Sequence, residues 1–534
     1  MAGLSNREIA DVFREIELLL RVLGEDEGRA QAYGRLAWQI ERMEESAADL
    51  AALGRLAEKR GIGPKTQAAV AELVDRGTCA RLEELHARVP RGLPELLHVP
   101  GLGPKRLHTV LQELKVDSLE ELKAAAHDGR LAKLKGFGDR SAEKVRDGIA
   151  FVERSRGRLR MDDALRLALE TIARLGLTDA QVAGPLRRGE PLIDLITIVA
   201  AGSPDAISLP RAERQGDAWV LPRGLLPEIR VRLVPREALV RTLFEETGPR
   251  DHVERVLARA GTEGSEEEIY ASRGLFPVPP ERRHVCDGET PVEILPLDAI
   301  QGLVHAHTTW SDGRLSLSQL AEAARARGYR YLALSDHSRS AQYANGLTIE
   351  RLEAQGAEVE AWNRANPKFP VLRGTEVDIL PDGTLDYPDD VLQGLDFVIA
   401  SVHSSFGQDE DAMTERILKA VRHPHVDILG HPTGRLLLRR DPYAVDMERV
   451  LLAAAESGTA VELNANPWRL DLDPALHACA RELGIKVPIC PDAHGEKDLD
   501  LVRWGVLAAR HGGLGAEDVP NTRDAKGFLE AVAK

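Results

Sequence analysis

The sequence predicts a multidomain protein: a helical N-terminal region, a smaller α+β unit, and a C-terminal α/β barrel on a parallel sheet. Three observations carry this. A Gly-apolar-Gly turn recurs three times between residues 59 and 149. Short β-like runs follow a helical stretch between 160 and 260. From residue 300 onward, seven apolar runs alternate with helical stretches, and nearly every run ends in His, Asp or Glu. A chain of 534 residues has room for roughly three or four domains.

Composition narrows the class. The chain is 43% hydrophobic and 29% charged, an ordinary globular balance. No apolar run approaches the ~18 residues of a membrane span, and MAGLSNREIADVF is charged too early for a signal peptide. A cytoplasmic, nucleoid-associated protein without membrane contact is expected. Cys79, Cys286, Cys479 and Cys490 lack CxxC spacing, which argues against a disulfide framework or a thiolate metal site. Net charge is −15, yet residues 51–160 hold 22 Lys+Arg against 15 Asp+Glu. Such asymmetry suggests one module that meets phosphate and another that holds cations.

The N-terminal 60 residues place apolar side chains three and four apart in IADVFREIELLLRVLG and RAQAYGRLAWQIERM, the spacing of amphipathic helices. The repeat follows: KRGIGPKTQAAVAEL (59–73), VPGLGPKRLHTVLQEL (99–114) and LKGFGDRSAEKVRDGI (134–149). Its glycine pairs are Gly61/Gly63, Gly101/Gly103 and Gly136/Gly138. Glycine lets the backbone take positive φ and approach a partner closely, and the next helix aims its free N–H groups at phosphate. Lys65, Lys105, Arg106 and Arg140 follow their turns and add charge. The three copies resemble helix-hairpin-helix motifs, which grip the DNA backbone without reading bases. The third, followed by Asp139, is the one best suited to a purely structural joint.

Between 160 and 260 a helix (MDDALRLALETIARLG) precedes the runs DLITIVA, AWVLP and EIRVRLVP. The stretch AGPLRRGEPLIDLITIVA (183–200) sets Arg187 and Arg188 before a strand that opens on Asp194, as a phosphoryl-transfer site would. The Pro- and charge-rich GLFPVPPERRHVCDGETP (274–291) reads as a linker.

In a parallel α/β barrel the functional face lies at the strand C-termini. Nine imidazoles and carboxylates stand there: His305, His307, Asp312, His337, Glu376, His403, His431, Asp492 and His494. This donor set suits manganese or zinc better than calcium. Nine groups exceed the needs of one ion, so a cluster of two or three divalent ions hydrolysing a phosphate ester is expected. Arg339 and Arg435, each just past a ligand strand, could oppose the phosphate charge.

HAHTTWSDG, SDHS, GTEVDI, SVHS, GHPTGR and PDAH resemble the ordered motifs of the PHP (polymerase and histidinol phosphatase) family. The resemblance implies a (β/α)7 barrel with a trinuclear centre in which Glu376 bridges two ions. The wider order also includes RAQAYGRLA, the hairpin repeats, the LRRG stretch and EEEIYASRGLFPVPPERR before the barrel. It resembles bacterial family X DNA polymerases with a C-terminal PHP domain. That implies a helical domain with the first hairpin (1–90), a helix-hairpin-helix region (91–158), a nucleotidyltransferase-like palm (159–240), a thumb-like segment (241–273), a linker (274–299) and the barrel (300–534).

Against that family's pattern, Pro185 replaces a serine, Asp194 falls at the first catalytic acid, Ile196 at the second and Arg230 at the third. Glu228 shares the strand face of Arg230 and is the one substitute acid. Glu245-Glu246 stand where an aromatic pair grips the nucleotide, and Val253 where an Asn would. Ala69 replaces the Schiff-base lysine of related lyases, with Lys65 a conceivable stand-in. The resemblance therefore implies a DNA-repair protein with a metal-dependent 3′–5′ exonuclease or phosphoesterase barrel and an impaired polymerase half. Its partner would be gapped, nicked or 3′-ended DNA bound as a monomer without sequence preference. One alternative is an active manganese-dependent gap-filling polymerase, with Mg²⁺ or Mn²⁺ serving any residual synthesis. Another is a histidinol-phosphatase-like enzyme acting on small molecules.

Overall fold

In the computed structural model the chain separates into two units, residues 1–156 and 157–534. All residues are described except 1–3, 5, 44, 91, 98, 204–211 and 222–225.

The first unit is helical. Helices Asn6–Val22 and Glu27–Glu41 bury Ile9, Phe13, Ile16, Leu20, Ala37 and Ile40, the apolar positions their periodicity marks. Asp26 caps the second helix, its Oδ1 accepting from the Arg29 N–H at 2.8 Å. The three glycine turns share one geometry. Gly61, Gly101 and Gly136 have φ of +84°, +82° and +88°, a region closed to most side chains. Gly63, Gly103 and Gly138 then begin the helices Pro64–Arg76, Pro104–Glu113 and Asp139–Ser155 in extended conformation. Ile62 and Leu102, between the glycines, are buried and pin the first two turns to the core.

The second unit opens with the palm. Its five-stranded sheet runs Gln181–Ala183, Leu195–Ala201, Glu228–Val234, Ala218–Leu221, Glu213–Gln215 in spatial order. The pair Leu195–Ala201 and Glu228–Val234 is parallel and sets Thr197 opposite Arg230. Side chains alternate along a strand. Ile196, Ile198 and Ala200 share a core with Met161, Ala164 and Ala168 of helix Met161–Leu175. Val199, on the other face, packs with Leu243 of helix Leu239–Thr247.

The barrel strands Gly302–Ala306, Tyr331–Leu334, Val371–Asp378, Phe397–Ser401, Ile428–Leu429 and Ala460–Val461 pair in chain order, all parallel. After Glu462 the sixth strand resumes as Leu463–Asn464 and pairs with Ile489–Cys490. The bridge between Ala306 and Ala493 closes the ring. Seven strands thus form the (β/α)7 barrel, and apolar runs without alternation, such as FVIAS, are buried at every position because both strand faces are covered.

Residues 274–299, expected as a linker, are packed down instead. The Glu281 carboxylate meets Arg510 at 2.7 Å, Arg282 donates to the His511 carbonyl at 2.8 Å, and the His284 ring stacks on His511 at 4.3 Å. Arg283 is buried, with Nη2 2.8 Å from Glu266. The charges of PPERRH make the segment look solvated in sequence, but each finds a partner. No helix among the described residues is long and apolar enough to cross a membrane.

Candidate functional site

All nine expected ligands converge at the mouth of the barrel. Six of the seven strands deliver them, and Glu376 is the hub. Its Oε2 lies 3.0 Å from His337 Nδ1, 3.4 Å from His305 Nε2 and 3.7 Å from His307 Nε2. Its Oε1 lies 2.9 Å from His431 Nε2 and 3.2 Å from His403 Nε2. Asp492 Oδ1 stands 3.2 Å from His307, and Asp312 joins His494 at 3.3 Å and His337 at 3.7 Å. His305, His431 and Asp492 have φ of +63°, +23° and +53°, rare values for residues with side chains. Strained backbone of this kind persists where its surroundings over-determine it, commonly at functional sites.

The residues fit divalent cations. His305 Nε2, both nitrogens of His307, His431 Nδ1, Glu376 Oε2 and Asp492 Oδ1 are buried without hydrogen-bond partners. Three overlapping groups bring one ligand atom from each member within 4.8 Å of the others: His307, Asp312, His337 and His494; His305, His307 and Asp492; and His337, Glu376 and His403. Six imidazoles and three carboxylates in one enclosed space polarise each other strongly. Burial, with His494 and His337 nearby, pushes His307 down to about 3. Burial opposes protonation of His403 too, but Glu376 and Asp378 raise it to about 10, and Asp312 and Asp492 likewise raise His494 to about 9. Glu376 and Asp492 are held well below the carboxylate range by these histidines despite their burial.

The sixth strand, which delivers none of the nine, supplies the residue that sequence reasoning missed. Glu462 is fully buried; its Oε1 lies 2.5 Å from His305 Nδ1, and its Oε2 accepts from the His431 backbone N–H. Asp378 holds His403 Nδ1 at 2.6 Å. Asp336 accepts from the N–H and hydroxyl of Thr308 and from Ser311, fixing the loop that carries Asp312. Carboxylates behind ligating histidines orient the ring and raise its basicity. The available signal was an acid inside the apolar run TAVELN, since a buried charge needs a partner.

The two arginines expected beside the phosphate differ. Arg435 is buried and spends its donors on the Arg469 and Leu470 carbonyls and on Asp473, so its hydrogen bonds brace a turn and reach none of the nine ligands. Its position after the GHPTG motif misled because that loop folds back. Arg339 is half exposed on the rim, held by Asp386. Arg469, which the sequence did not single out, has Nε 3.8 Å from Asp492. Two aromatics lie at the mouth. Tyr343 is 72% exposed with its ring 6.3 Å from His337, and Trp468 carries the Arg160 guanidinium on one face at 3.6 Å.

The palm corrects the expected register. Asp194 is exposed in a bend before its strand, and the strand begins at Leu195. A cavity of about 750 Å³ is lined by Leu195, Thr197 and Arg230 together with Arg188, Glu245, Glu246 and Val253, but not by Asp194, Ile196 or Glu228. At the first two positions the cavity-facing residues are thus one later than expected, the third is Arg230 as expected, and none of the three is acidic. Arg187, expected to meet phosphate, is committed to Glu266 at 2.7 Å and to Thr247. Arg188 lines the cavity while bonding Glu190 and the Thr247 carbonyl.

In the first unit, Lys65, Lys105 and Arg140 are exposed beside their turns, and a Cβ on Gly63, Gly103, Gly136 or Gly138 would meet nothing within 4 Å. Those turns are open for a backbone to approach. Arg106 donates to the Gly101 carbonyl at 3.1 Å and lies over Phe137, so it joins the second turn to the third. Ala69 is part of the helical core and Lys65 is exposed. A second cavity, next to the first turn, is lined by Gly61, Arg60, Arg35 and the exposed Trp38.

Fold and site define a class: an enzyme with a metal-dependent hydrolase barrel, a polymerase-type palm and a DNA-binding helix-hairpin-helix region. The family described as SAM-like helix-hairpin-helix tandem matches residues 93–150, and the PHP domain family matches 304–466. The DNA polymerase/3′–5′ exonuclease PolX of Bacillus subtilis (strain 168) is 36% identical, with 99% of each chain covered. The chain belongs to the PolX family, the family X DNA polymerases with a C-terminal PHP domain. Proteins named "Probable phosphatase" from Thermoanaerobacter sp. (strain X514) and Caldanaerobacter subterraneus subsp. tengcongensis are 29% and 28% identical. Each covers 36% of this chain, and the match spans 86% and 74% of their own lengths.

Proposed function

We propose that the barrel shortens DNA from its 3′ end by phosphodiester hydrolysis and that the palm has lost two-metal nucleotidyl transfer. The convergence of His305, His307, Asp312, His337, Glu376, His403, His431, Asp492 and His494 carries the first part. Two or three manganese or zinc ions bound there would activate water near neutral pH and clamp phosphate oxygens. The chain's own contribution is positional. Glu462 and Asp378 fix the rings of His305 and His403, and Arg469 places a positive charge beside the cluster. Tyr343 offers an exposed ring on which a terminal base can stack.

The substrate is DNA with a gap, nick or free 3′ end, held as a monomer through Lys65, Lys105, Arg140 and their glycine turns without reading sequence. The work is that of DNA repair at the nucleoid. Leu195, Thr197 and Arg230 supply no carboxylate for Mg²⁺, which requires hard oxygen ligands.

Incubating 3′-end-labelled DNA with Mn²⁺ tests the barrel: His305→Ala should abolish label release, and equal release by the variant would sink the assignment. Primer extension on gapped DNA tests the palm, where incorporation in Mg²⁺ or Mn²⁺ would favour the gap-filling alternative. The phosphatase-named relatives, matched over 36% of this chain, support a second activity on 3′-terminal phosphate. Release of inorganic phosphate from a 3′-phosphorylated oligonucleotide reads it directly.

A further inference from the structure

The palm cavity carries charge of the wrong sign for the ions its fold class uses. Around its opening, each acid is already neutralised: Glu245 by Arg241 at 2.7 Å, Glu246 by Arg232 at 2.6 Å and Glu254 by Arg250 at 2.5 Å. Arg188 is engaged with Glu190 and the Thr247 carbonyl. Arg230 stands apart. It is half-buried, it faces the cavity, and no hydrogen bond or ion pair reaches its guanidinium among the described residues. An arginine keeps its charge at every accessible pH, and a partly desolvated charge without a counter-ion is unfavourable. Fixed positive charge beside Thr197 repels the dication that a carboxylate pair would hold. The same charge attracts an anion.

The space is suited to one. About 750 Å³ falls within the size of small-molecule sites. Leu195, Pro185, Val253 and Leu257 give the lining its apolar surface, and Arg230, Arg188 and Thr197 give it polar groups. Apolar surface and an uncommitted cationic donor in one cavity match a nucleotide: sugar and base against the first, phosphate against the second.

We infer that this cavity binds the phosphate of a nucleotide directly on Arg230, with no metal ion between protein and phosphate. The cavity lies in the palm, and the inference does not rest on exonuclease activity in the barrel. A free nucleoside triphosphate and the terminal phosphate of a DNA strand present the same chemistry, and two probes separate them.

The test uses the full chain in excess EDTA. Binding of dATP is measured by calorimetry, and binding of a 5′-phosphorylated oligonucleotide is compared with that of its unphosphorylated twin by anisotropy. dATP binding in EDTA, weakened about tenfold or more by Arg230→Ala and largely retained by Arg230→Lys, supports a free nucleotide as ligand. An EDTA-resistant preference for the phosphorylated strand that Arg230→Ala removes supports a strand end. The triple variant Leu195→Asp, Thr197→Asp, Arg230→Asp should lose EDTA-resistant binding and bind dATP only with Mg²⁺. Thermal melts of each variant report whether it folds. Binding that needs Mg²⁺ in the parent protein, no binding of either probe, or binding unchanged in a folded Arg230→Ala variant overturns the inference.

Discussion

Glu462 Oε1 lies 2.5 Å from His305 Nδ1 at the closed centre of the barrel, joining the sixth strand to the first. The contact fixes the ring and leaves Nε2 facing Glu376 and Asp492. Partners of this kind are worth about 10–100-fold in metal affinity. Glu462→Gln should therefore need about that much more Mn²⁺ for half-maximal nuclease activity and recover at saturation. An unchanged metal titration would remove Glu462 from the metal site.

Tyr343 stands exposed beside His337 and His403. Stacking of a base on an aromatic ring contributes about 1–3 kcal/mol. Tyr343→Ala should raise KM for single-stranded DNA roughly tenfold or more while hydrolysis of bis(p-nitrophenyl) phosphate, which lacks a base, stays the same. Parallel losses on both substrates would show that the ring supports the site without holding DNA.

Arg435 and Arg469 should separate cleanly. Arg435→Ala leaves two carbonyls and Asp473 without their donor, a loss of about 1–3 kcal/mol of stability seen as a lowered melting temperature. Arg469→Ala should melt normally and lower kcat/KM about tenfold, because its charge lies beside Asp492. The reverse pattern would exchange their roles.

His252 gives residues 241–273 a pH-dependent stability. It is buried between Tyr270, at 2.8 Å, and the Cys286 carbonyl, at 2.9 Å. Burial and the nearby Arg283 depress it to about 4. The unfolded chain takes up the proton near 6.5 and the folded chain only near 4, so stability is complete above 6.5 and falls as pH drops toward 4. The full shift corresponds to roughly 3 kcal/mol. Melting curves between pH 7 and 4 should show the decline, and a folded His252→Phe variant should make it shallower, with His284 and His477, also depressed by burial to about 4, carrying the rest.

The barrel was legible because its chemistry repeats with its topology: strand ends place His305, His337, Glu376, His403 and His431 at matching positions, and the eye follows the period. Glu462 was not legible, since it belongs to the one strand that ends without a ligand and acts through His305. The palm failed by a single residue. Placing Asp194 on the strand assumes that the run begins there, whereas it begins at Leu195, and a slip of one exchanges the two faces of a sheet. The paired ions of PPERRH escaped notice for a different reason. Charges in a Pro-rich stretch resemble a solvated tether until Arg510 and Glu266 are found against them.

The packed segment 274–299 has a practical meaning for anyone dissecting this protein. A barrel cut free at residue 300 would strip Arg510 of Glu281, uncover the His511 ring and leave its carbonyl without the Arg282 donor. The fragment suited to independent expression starts at residue 157, where the chain divides, and carries palm and barrel together.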